Sequence, residues 1–157
     1  MYGIIATWRM ALEGISKADS MLKNNESAAN SIEEAIKAVE NFEYYKSVGY
    51  GGLPNEEMEV ELDAAFMDGD TLEFGCVGGV KDFANPVSIA RSLMHYDANN
   101  FLVGQGAEKY ASRHGFERKT MLTDRAKIHY HNRIKEIANT ELKPYSGHDT
   151  VGMVCLD

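Results

Sequence analysis

The clearest pattern along the chain is a helical repeat of apolar positions from Ser27 to about Asn41. Its apolar members recur at three- and four-residue spacing, which places them on one face of a helix: Ile32, Ala35, Ile36 and Val39. The charged residues between them are predicted to face water: Glu33, Glu34, Lys37 and Glu40. A similar mixture predicts an earlier helix from about Met10 to Lys23, which ends at Asn24-Asn25.

Short apolar runs predict strands at both ends of the chain. The first eight residues, ending in Ile4-Ile5-Ala6-Thr7-Trp8, are predicted to form a buried strand that leads into a loop. Val151 to Leu156 is predicted to be a second buried strand. Between about Glu59 and Val80, two strand-like runs flank Asp68-Gly69-Asp70, and an Asp-Gly pair in that setting favours a hairpin. Phe101 to Val103 is a further short strand.

Three more helices follow from their start and stop residues. Asn85-Pro86 opens one of them, with Asn as the N-cap and Pro at the first helical position. Another runs from about Gly106 to His114 and is closed by Gly115. The last runs from about Thr123 to Asn139. These helices and strands together predict a fold of mixed α and β elements.

The end of the sequence suggests truncation. The strand that starts at Val151 opens a new element, and the sequence stops at Asp157. A domain seldom ends one strand after a polar loop. We therefore expect the natural domain to extend further.

Composition and charge exclude several classes of protein. Hydrophobic residues make up 44% of the 157, which argues against disorder. The formal net charge is -8, and a chain this acidic repels a phosphate backbone, so we expect no nucleic-acid binding. No run approaches the ~20 apolar residues of a membrane span. The N-terminus lacks the basic and apolar regions of a signal peptide, so a cytoplasmic location is expected.

Residues that often bind metals or phosphate are not arranged to do so here. Cys76 and Cys155 are isolated and fit neither a disulfide framework nor a zinc pattern. His129 and His131 lie two apart on a predicted helix, hence on different faces. The glycine-rich segment from Ser47 to Pro54 lacks the Lys-Ser/Thr of a phosphate-binding loop, so a tight turn is predicted.

The segment His148-Asp149-Thr150 carries the most specific chemistry. Thr150 lies at the entry to a predicted strand, directly after an acidic residue. A threonine hydroxyl is a weak nucleophile that needs a base within hydrogen-bond distance. Cutting the chain just before the threonine frees an α-amine to serve as that base. Asp149 and His148 could move the proton during such a cut, although the same residues also fit an ordinary loop with a local cap.

Seven blocks, in one order along the chain, resemble the glycosylasparaginases of the N-terminal-nucleophile hydrolase superfamily. They are Thr7-Trp8, the helix that ends near Asn41, Ser47-Val48-Gly49-Tyr50-Gly51-Gly52-Leu53-Pro54, Leu62-Asp63-Ala64 with Met67-Asp68-Gly69, Asn85-Pro86-Val87-Ser88-Ile89-Ala90-Arg91, Leu102-Val103-Gly104, and His148-Asp149-Thr150-Val151-Gly152-Met153-Val154. Any one block is weak, but seven in order are specific. The resemblance implies a four-layer αββα sandwich, of which this chain supplies only the first part.

The resemblance also implies an activity and residue roles. The family cleaves itself before a threonine into α and β subunits, and then hydrolyses N-acetylglucosaminyl-asparagine or simpler β-aspartyl amides. Residues 1–149 would be the α part and 150–157 the start of the β part. Thr150 resembles the nucleophile, and Asp149 with His148 the autoprocessing groups. Trp8 matches the tryptophan beside the substrate, and Ser47 begins a loop near the nucleophile.

Partners and cofactors follow from the same resemblance. It implies a β subunit from the same precursor, an (αβ)2 homodimer, and no metal or organic cofactor. The family's carboxylate-binding arginine and aspartate, its second threonine and its oxyanion donors would lie beyond Asp157. We therefore expect this chain alone to be inactive.

Two alternatives remain. Plant-type L-asparaginase/isoaspartyl peptidase shares the fold and mechanism, but usually has Gly before the nucleophile and Ala-Val-Ala after Thr-Val-Gly. This chain has Asp149 and Met153-Val154 at those places, which favours glycosylasparaginase. A non-catalytic truncated remnant is an alternative of a different class.

Overall fold

The computed structural model describes residues 1–139 and 150–157. Helices and strands alternate irregularly along them, which confirms the predicted mixture of α and β elements. In chain order they are β1 (Gly3–Ala6), α1 (Leu12–Lys23), α2 (Ala28–Glu40), β2 (Leu62–Met67), β3 (Phe74–Val80), α3 (Pro86–Leu93), β4 (Phe101–Val103), α4 (Gly104–Arg113), α5 (Asp124–Asn139) and β5 (Met153–Leu156). None of the helices in these residues is long and apolar enough to cross a membrane.

The first sheet joins the two ends of the chain. β1 and β5 are antiparallel, with Gly3 opposite Leu156 and Ala6 opposite Met153. Helix α1 packs against β1, and α2 packs against both α1 and β5. Gly14 permits this close packing, because a Cβ there would lie 2.4 Å from the carbonyl oxygen of Ala35. The pair of helices thereby covers one face of the strand pair that ends near Thr150.

The second sheet has the order β2-β3-β4 and holds the main core. β2 and β3 are antiparallel, whereas β3 and β4 are parallel. Helix α3 packs across β2 and β3, because its apolar positions fall on one face. The core residues that meet there are Phe66, Val77, Val80, Phe83, Val87, Ile89, Ala90 and Leu93.

The hairpin between β2 and β3 is confirmed, but its turn is not a two-residue Asp-Gly turn. The strands end at Met67 and resume at Phe74. The Asp68 carboxylate accepts hydrogen bonds from the backbone N–H groups of Asp70 and Thr71, at 2.8 and 3.1 Å. A short polar side chain thus organises a longer turn by bonding to its own backbone.

Both sheets have one covered face and one open apolar face. In the first sheet Ile5, Val154 and Leu156 are 76, 72 and 69% exposed. In the second sheet the exposed apolar side chains are those of Met67, Phe74, Phe101 and Val103. The prediction that the two terminal strands are buried is therefore wrong for half of their side chains. Successive side chains of a strand point to opposite faces, and helices cover only one of them.

Candidate active site

The candidate site lies where the β1–β5 ladder ends. Beyond the strands proper, the Thr7 N–H donates to the carbonyl oxygen of Gly152 at 2.9 Å. The Gly152 N–H donates in return to the Thr7 hydroxyl at 2.8 Å. This pairing extends the register of the strands by one residue on each side, and the next residues along are Trp8 and Val151. Trp8 and Thr150 therefore lie at the same end of one strand pair.

Trp8 adopts an unusual backbone conformation at this point. Its φ of 65° and ψ of 155° fall in a region used almost only by glycine. A non-glycine residue held there costs roughly 1–3 kcal/mol, and such residues concentrate at functional sites. The strained backbone ends β1, and a single 3-10 turn at Arg9–Ala11 then leads into α1. Trp8 is 48% exposed, so its indole is accessible to a ligand.

Thr150 begins the second described segment and is exposed. Val151 and Gly152 connect it to β5, which the ladder holds against β1. The predicted autoprocessing residues Asp149 and His148 lie outside the described residues. Of the predicted site residues, Trp8 and Thr150 adjoin the same end of the β1–β5 pair, and their roles remain predictions.

Ser47 lies in the loop that follows α2 and is partly buried. As predicted, the segment from Ser47 to Pro54 forms no helix or strand. The loop turns tightly at Gly49, whose φ is 64°. A Cβ at Gly49 would lie 2.1 Å from the carbonyl oxygen of Glu40, so only glycine fits there. The neighbouring Tyr50 N–H donates to that same carbonyl at 2.7 Å, which attaches the loop to the end of α2.

Glu40 is the residue near this loop whose position was predicted wrongly. It was expected to face water, yet it is only 3% exposed. Its carboxylate accepts hydrogen bonds from the Asn85 side chain and from the Val87 N–H, both at 3.1 Å. Burial raises its pKa from 4.5 to about 7. Glu40 continues the row of Ile32 and Ile36 at four-residue steps, but the spacing alone does not show which element covers that row.

The hydrogen bond from Val87 also explains how α3 begins. Asn85 is the N-cap and Pro86 the first helical residue, as predicted. Asn85 has φ 50° and its side chain makes no capping hydrogen bond. Glu40 provides the cap from another helix instead, and a carboxylate is well suited to the positive end of the helix dipole. The Ser47 loop and α3 are thereby both attached to the last residue of α2.

The strand pair forms one wall of a site rather than an enclosed pocket. One cavity of about 460 Å³ lies along α4, between residues such as Lys109, Arg113 and Arg118. A smaller one of about 250 Å³ lies near Tyr2 and Asp157. Neither is lined by Trp8, Ser47 or Thr150. Within residues 1–139 and 150–157, no three His, Cys, Asp or Glu side chains are grouped so as to hold a metal ion.

Comparison with known proteins identifies relatives with two kinds of name. N(4)-(Beta-N-acetylglucosaminyl)-L-asparaginase of Elizabethkingia miricola is 31% identical over 154 residues, which cover 98% of this chain and 45% of that protein. Isoaspartyl peptidase/L-asparaginase of Rattus norvegicus is 36% identical over 152 residues, covering 92% of this chain and 45% of that protein. The Mus musculus protein of the same name is 36% identical over 154 residues, which cover 92% of this chain and 46% of that protein.

The chain thus spans about half the length of the curated relatives it matches. Residues 6–157 match the model of the family described as Asparaginase, and this stretch includes the last residue of β1, all of β5, the glycine-rich loop and Thr150. The names of all three relatives state an asparaginase, and the names of the rat and mouse proteins also state an isoaspartyl peptidase. The chain therefore belongs to the asparaginase family of amidohydrolases.

Proposed function

We propose that this chain is the first part of an autoprocessing amidohydrolase whose nucleophile is Thr150. The substrate would be N-acetylglucosaminyl-asparagine or a related β-aspartyl amide. The observation that carries the proposal is the β1–β5 ladder, whose last pair, Thr7 with Gly152, is next to Trp8 and two residues from Thr150 in the sequence. Membership of the asparaginase family supports it.

Autoprocessing would begin with attack of the Thr150 hydroxyl oxygen on the carbonyl carbon of Asp149. The bond from that carbon to the Thr150 nitrogen breaks, and the nitrogen gains the proton that the hydroxyl loses and becomes a free amine. The resulting ester between Asp149 and Thr150 is hydrolysed by water. Residues 1–149 then form the α part, and the β part begins at Thr150. His148 and Asp149 are the proposed groups that move protons during this step.

Turnover would use the newly formed amine of Thr150 as the base. The amine takes the proton of the hydroxyl, and the oxygen attacks the β-aspartyl carbonyl of the substrate. The substrate amine leaves with a proton, and water releases aspartate from the acyl-enzyme. Trp8 would line the substrate side of the nucleophile, and Ser47 would approach it from the glycine-rich loop. No cofactor is needed for these steps.

The open sheet faces support a larger assembly. Helices cover one face of each sheet, and apolar side chains line the other face. A sheet exposed to water in this way is stabilised when a second sheet packs on it. We propose that the whole protein forms a four-layer αββα sandwich with its β part, and that two such units form an (αβ)2 dimer.

Plant-type L-asparaginase/isoaspartyl peptidase is the second candidate function. The rat and mouse relatives with that name are 36% identical to this chain, against 31% for the bacterial glycosylasparaginase. The local motifs favour glycosylasparaginase instead, because Asp149 precedes Thr150 and Met153-Val154 follow Gly152. A non-catalytic remnant is the remaining alternative.

Expression of the complete gene tests the proposal. We expect mass spectrometry to find two chains parted between Asp149 and Thr150, and we expect aspartate release from N-acetylglucosaminyl-asparagine. Thr150→Ala is expected to abolish both, whereas Thr150→Ser keeps part of each because it retains the hydroxyl. Thr120→Ala, at an exposed threonine before α5, is the matched control.

The substrate comparison separates the candidates. Faster turnover of N-acetylglucosaminyl-asparagine than of asparagine or an isoaspartyl dipeptide supports glycosylasparaginase, and the reverse order supports the second candidate. An intact single chain that still hydrolyses these amides would refute Thr150 as an N-terminal nucleophile. A natural reading frame that stops after Asp157 would support the remnant.

A further inference from the structure

The Thr7 side chain completes the hydrogen-bond ladder beside Thr150. In a hydrogen-bonded antiparallel pair, two opposite residues exchange N–H and carbonyl bonds through their backbones. The Thr7 N–H follows this rule and donates to the Gly152 carbonyl at 2.9 Å. The Gly152 N–H instead donates to the Thr7 hydroxyl at 2.8 Å. A side-chain oxygen thus accepts the hydrogen bond that a backbone carbonyl oxygen accepts in a regular ladder.

The reason lies in the next residue. Trp8 has a φ of 65°, and the chain leaves the extended conformation there to enter the 3-10 turn. The extended backbone that continues β1 therefore ends at Thr7, whereas the opposite segment still presents the Gly152 N–H to it. The Thr7 hydroxyl also lies 3.4 Å from the Gly152 carbonyl oxygen, so both backbone groups of Gly152 face Thr7. The two residues are 145 positions apart in the sequence, so this contact directly fixes one end of the chain against the other.

We propose that Thr7 is a positioning residue that holds the Val151–Gly152 segment, and with it the Thr150 hydroxyl, in place beside Trp8. This inference rests on the proposed function of Thr150. Thr7 itself forms no bond to a substrate in this proposal and acts only through the backbone of Gly152. Its hydroxyl matters more than its methyl group, because the hydroxyl makes the contact to the Gly152 N–H.

Three variants of the complete gene product test this. Thr7→Val keeps the shape of the side chain and removes the hydroxyl, whereas Thr7→Ser keeps the hydroxyl and removes a methyl group. Thr120→Val controls for a general threonine-to-valine effect at an exposed site. The measurements are the rate of chain separation by mass spectrometry, kcat and KM for N-acetylglucosaminyl-asparagine, and hydrogen exchange of the Gly152 amide by NMR.

We expect Thr7→Val to slow chain separation and lower kcat by about tenfold, the effect of losing one hydrogen bond that positions the reacting residue. KM is expected to change by less than about threefold, because Thr7 does not bind substrate. The Gly152 amide is expected to exchange faster in this variant. Thr7→Ser is expected to restore both rates to within about threefold of the natural protein.

Two outcomes would contradict the positioning role of Thr7. Natural rates in Thr7→Val, or equal losses in Thr7→Val and Thr7→Ser, would overturn the positioning role. If Thr7→Val does not fold, Thr7→Ala compared with Thr7→Ser makes the same test. Undiminished activity in Thr150→Ala would instead overturn the proposed function. Loss in Thr150→Ala with natural rates in Thr7→Val would overturn only the inference about Thr7.

Discussion

At the scale of single residues, the candidate site depends on backbone conformation as much as on side-chain chemistry. Trp8 was predicted to contact the substrate from its place in a motif. The structure adds that its backbone adopts a conformation that glycine favours, at the point where β1 ends. A motif reports residue type and order, whereas φ and ψ depend on what both flanking segments are attached to. The strain at Trp8 could not be predicted from sequence for that reason.

The strain predicts an inverted order of stability between two variants. At most positions alanine is more stable than glycine, because glycine loses more backbone entropy on folding. At Trp8 we expect Trp8→Gly to exceed Trp8→Ala in free energy of unfolding by about 1 kcal/mol, since glycine relieves the backbone strain. Urea unfolding of both variants measures the difference.

A helical site provides the control for this comparison. Glu13 is an exposed residue in the first turn of α1, so Glu13→Ala is expected to be more stable than Glu13→Gly by about 1 kcal/mol. The same order at both positions would show that Trp8 is not strained.

At the scale of elements, helices α2 and α3 are linked by two acidic residues of α2. Glu33 forms an ion pair with Arg91, and Glu40 caps the first turn of α3. Helix α2 was predicted from apolar periodicity with nearly correct bounds, and the start of α3 was predicted correctly from Asn85-Pro86, because both signals lie in neighbouring residues. The partners of Glu40 lie more than 40 positions away, and local periodicity does not identify them.

The buried carboxyl group of Glu40 predicts a pH dependence of stability. Burial raises its folded pKa to about 7 from an ordinary 4.5, so folding favours the protonated form. Its favourable contribution is complete below pH 4.5 and is lost as the pH rises towards 7. At about 1.4 kcal/mol per pH unit, the free energy of unfolding falls by up to about 3 kcal/mol across that window. Urea unfolding at a series of pH values measures this fall.

Glu40→Gln is expected to flatten the pH dependence between pH 4.5 and 7, because an amide keeps the hydrogen-bonding shape without titrating. Glu34→Gln is the control on the same helix. Hydrogen bonds from Lys17 and Lys37 lower the pKa of Glu34, so its stabilising contribution is lost only as the pH falls below that window. An unchanged slope in Glu40→Gln would show that the carboxyl group is not the source.

At the scale of the whole molecule, the two sheets are each covered on one side only. Each sheet is covered by helices on one face and exposes apolar side chains on the other. Exposed apolar faces and unpaired strand edges favour association with other chains. The relatives are about twice as long as this chain, which is consistent with further layers in the whole protein.

We therefore expect the isolated 157-residue chain to be oligomeric or poorly soluble, as measured by light scattering and size-exclusion chromatography. Replacing Ile5, Val154 and Leu156 by threonine is expected to increase the monomer fraction, because threonine favours strands but is polar. Ile4→Thr, on the face that α1 and α2 cover, is the control and should lower stability without improving solubility. A monodisperse natural chain with a cooperative melt would contradict the expectation.

The sequence by itself determined the helices, the strands, the glycine-rich loop and the family, because these depend on residue patterns within short segments and on the order of those segments. Only the tertiary structure decided which face of each strand is covered, that Glu40 is buried against α3, and that Thr7 pairs with Gly152 beside Trp8 and Thr150. These contacts join residues far apart in the chain. Their formation depends on how all the elements pack together, which no local pattern encodes.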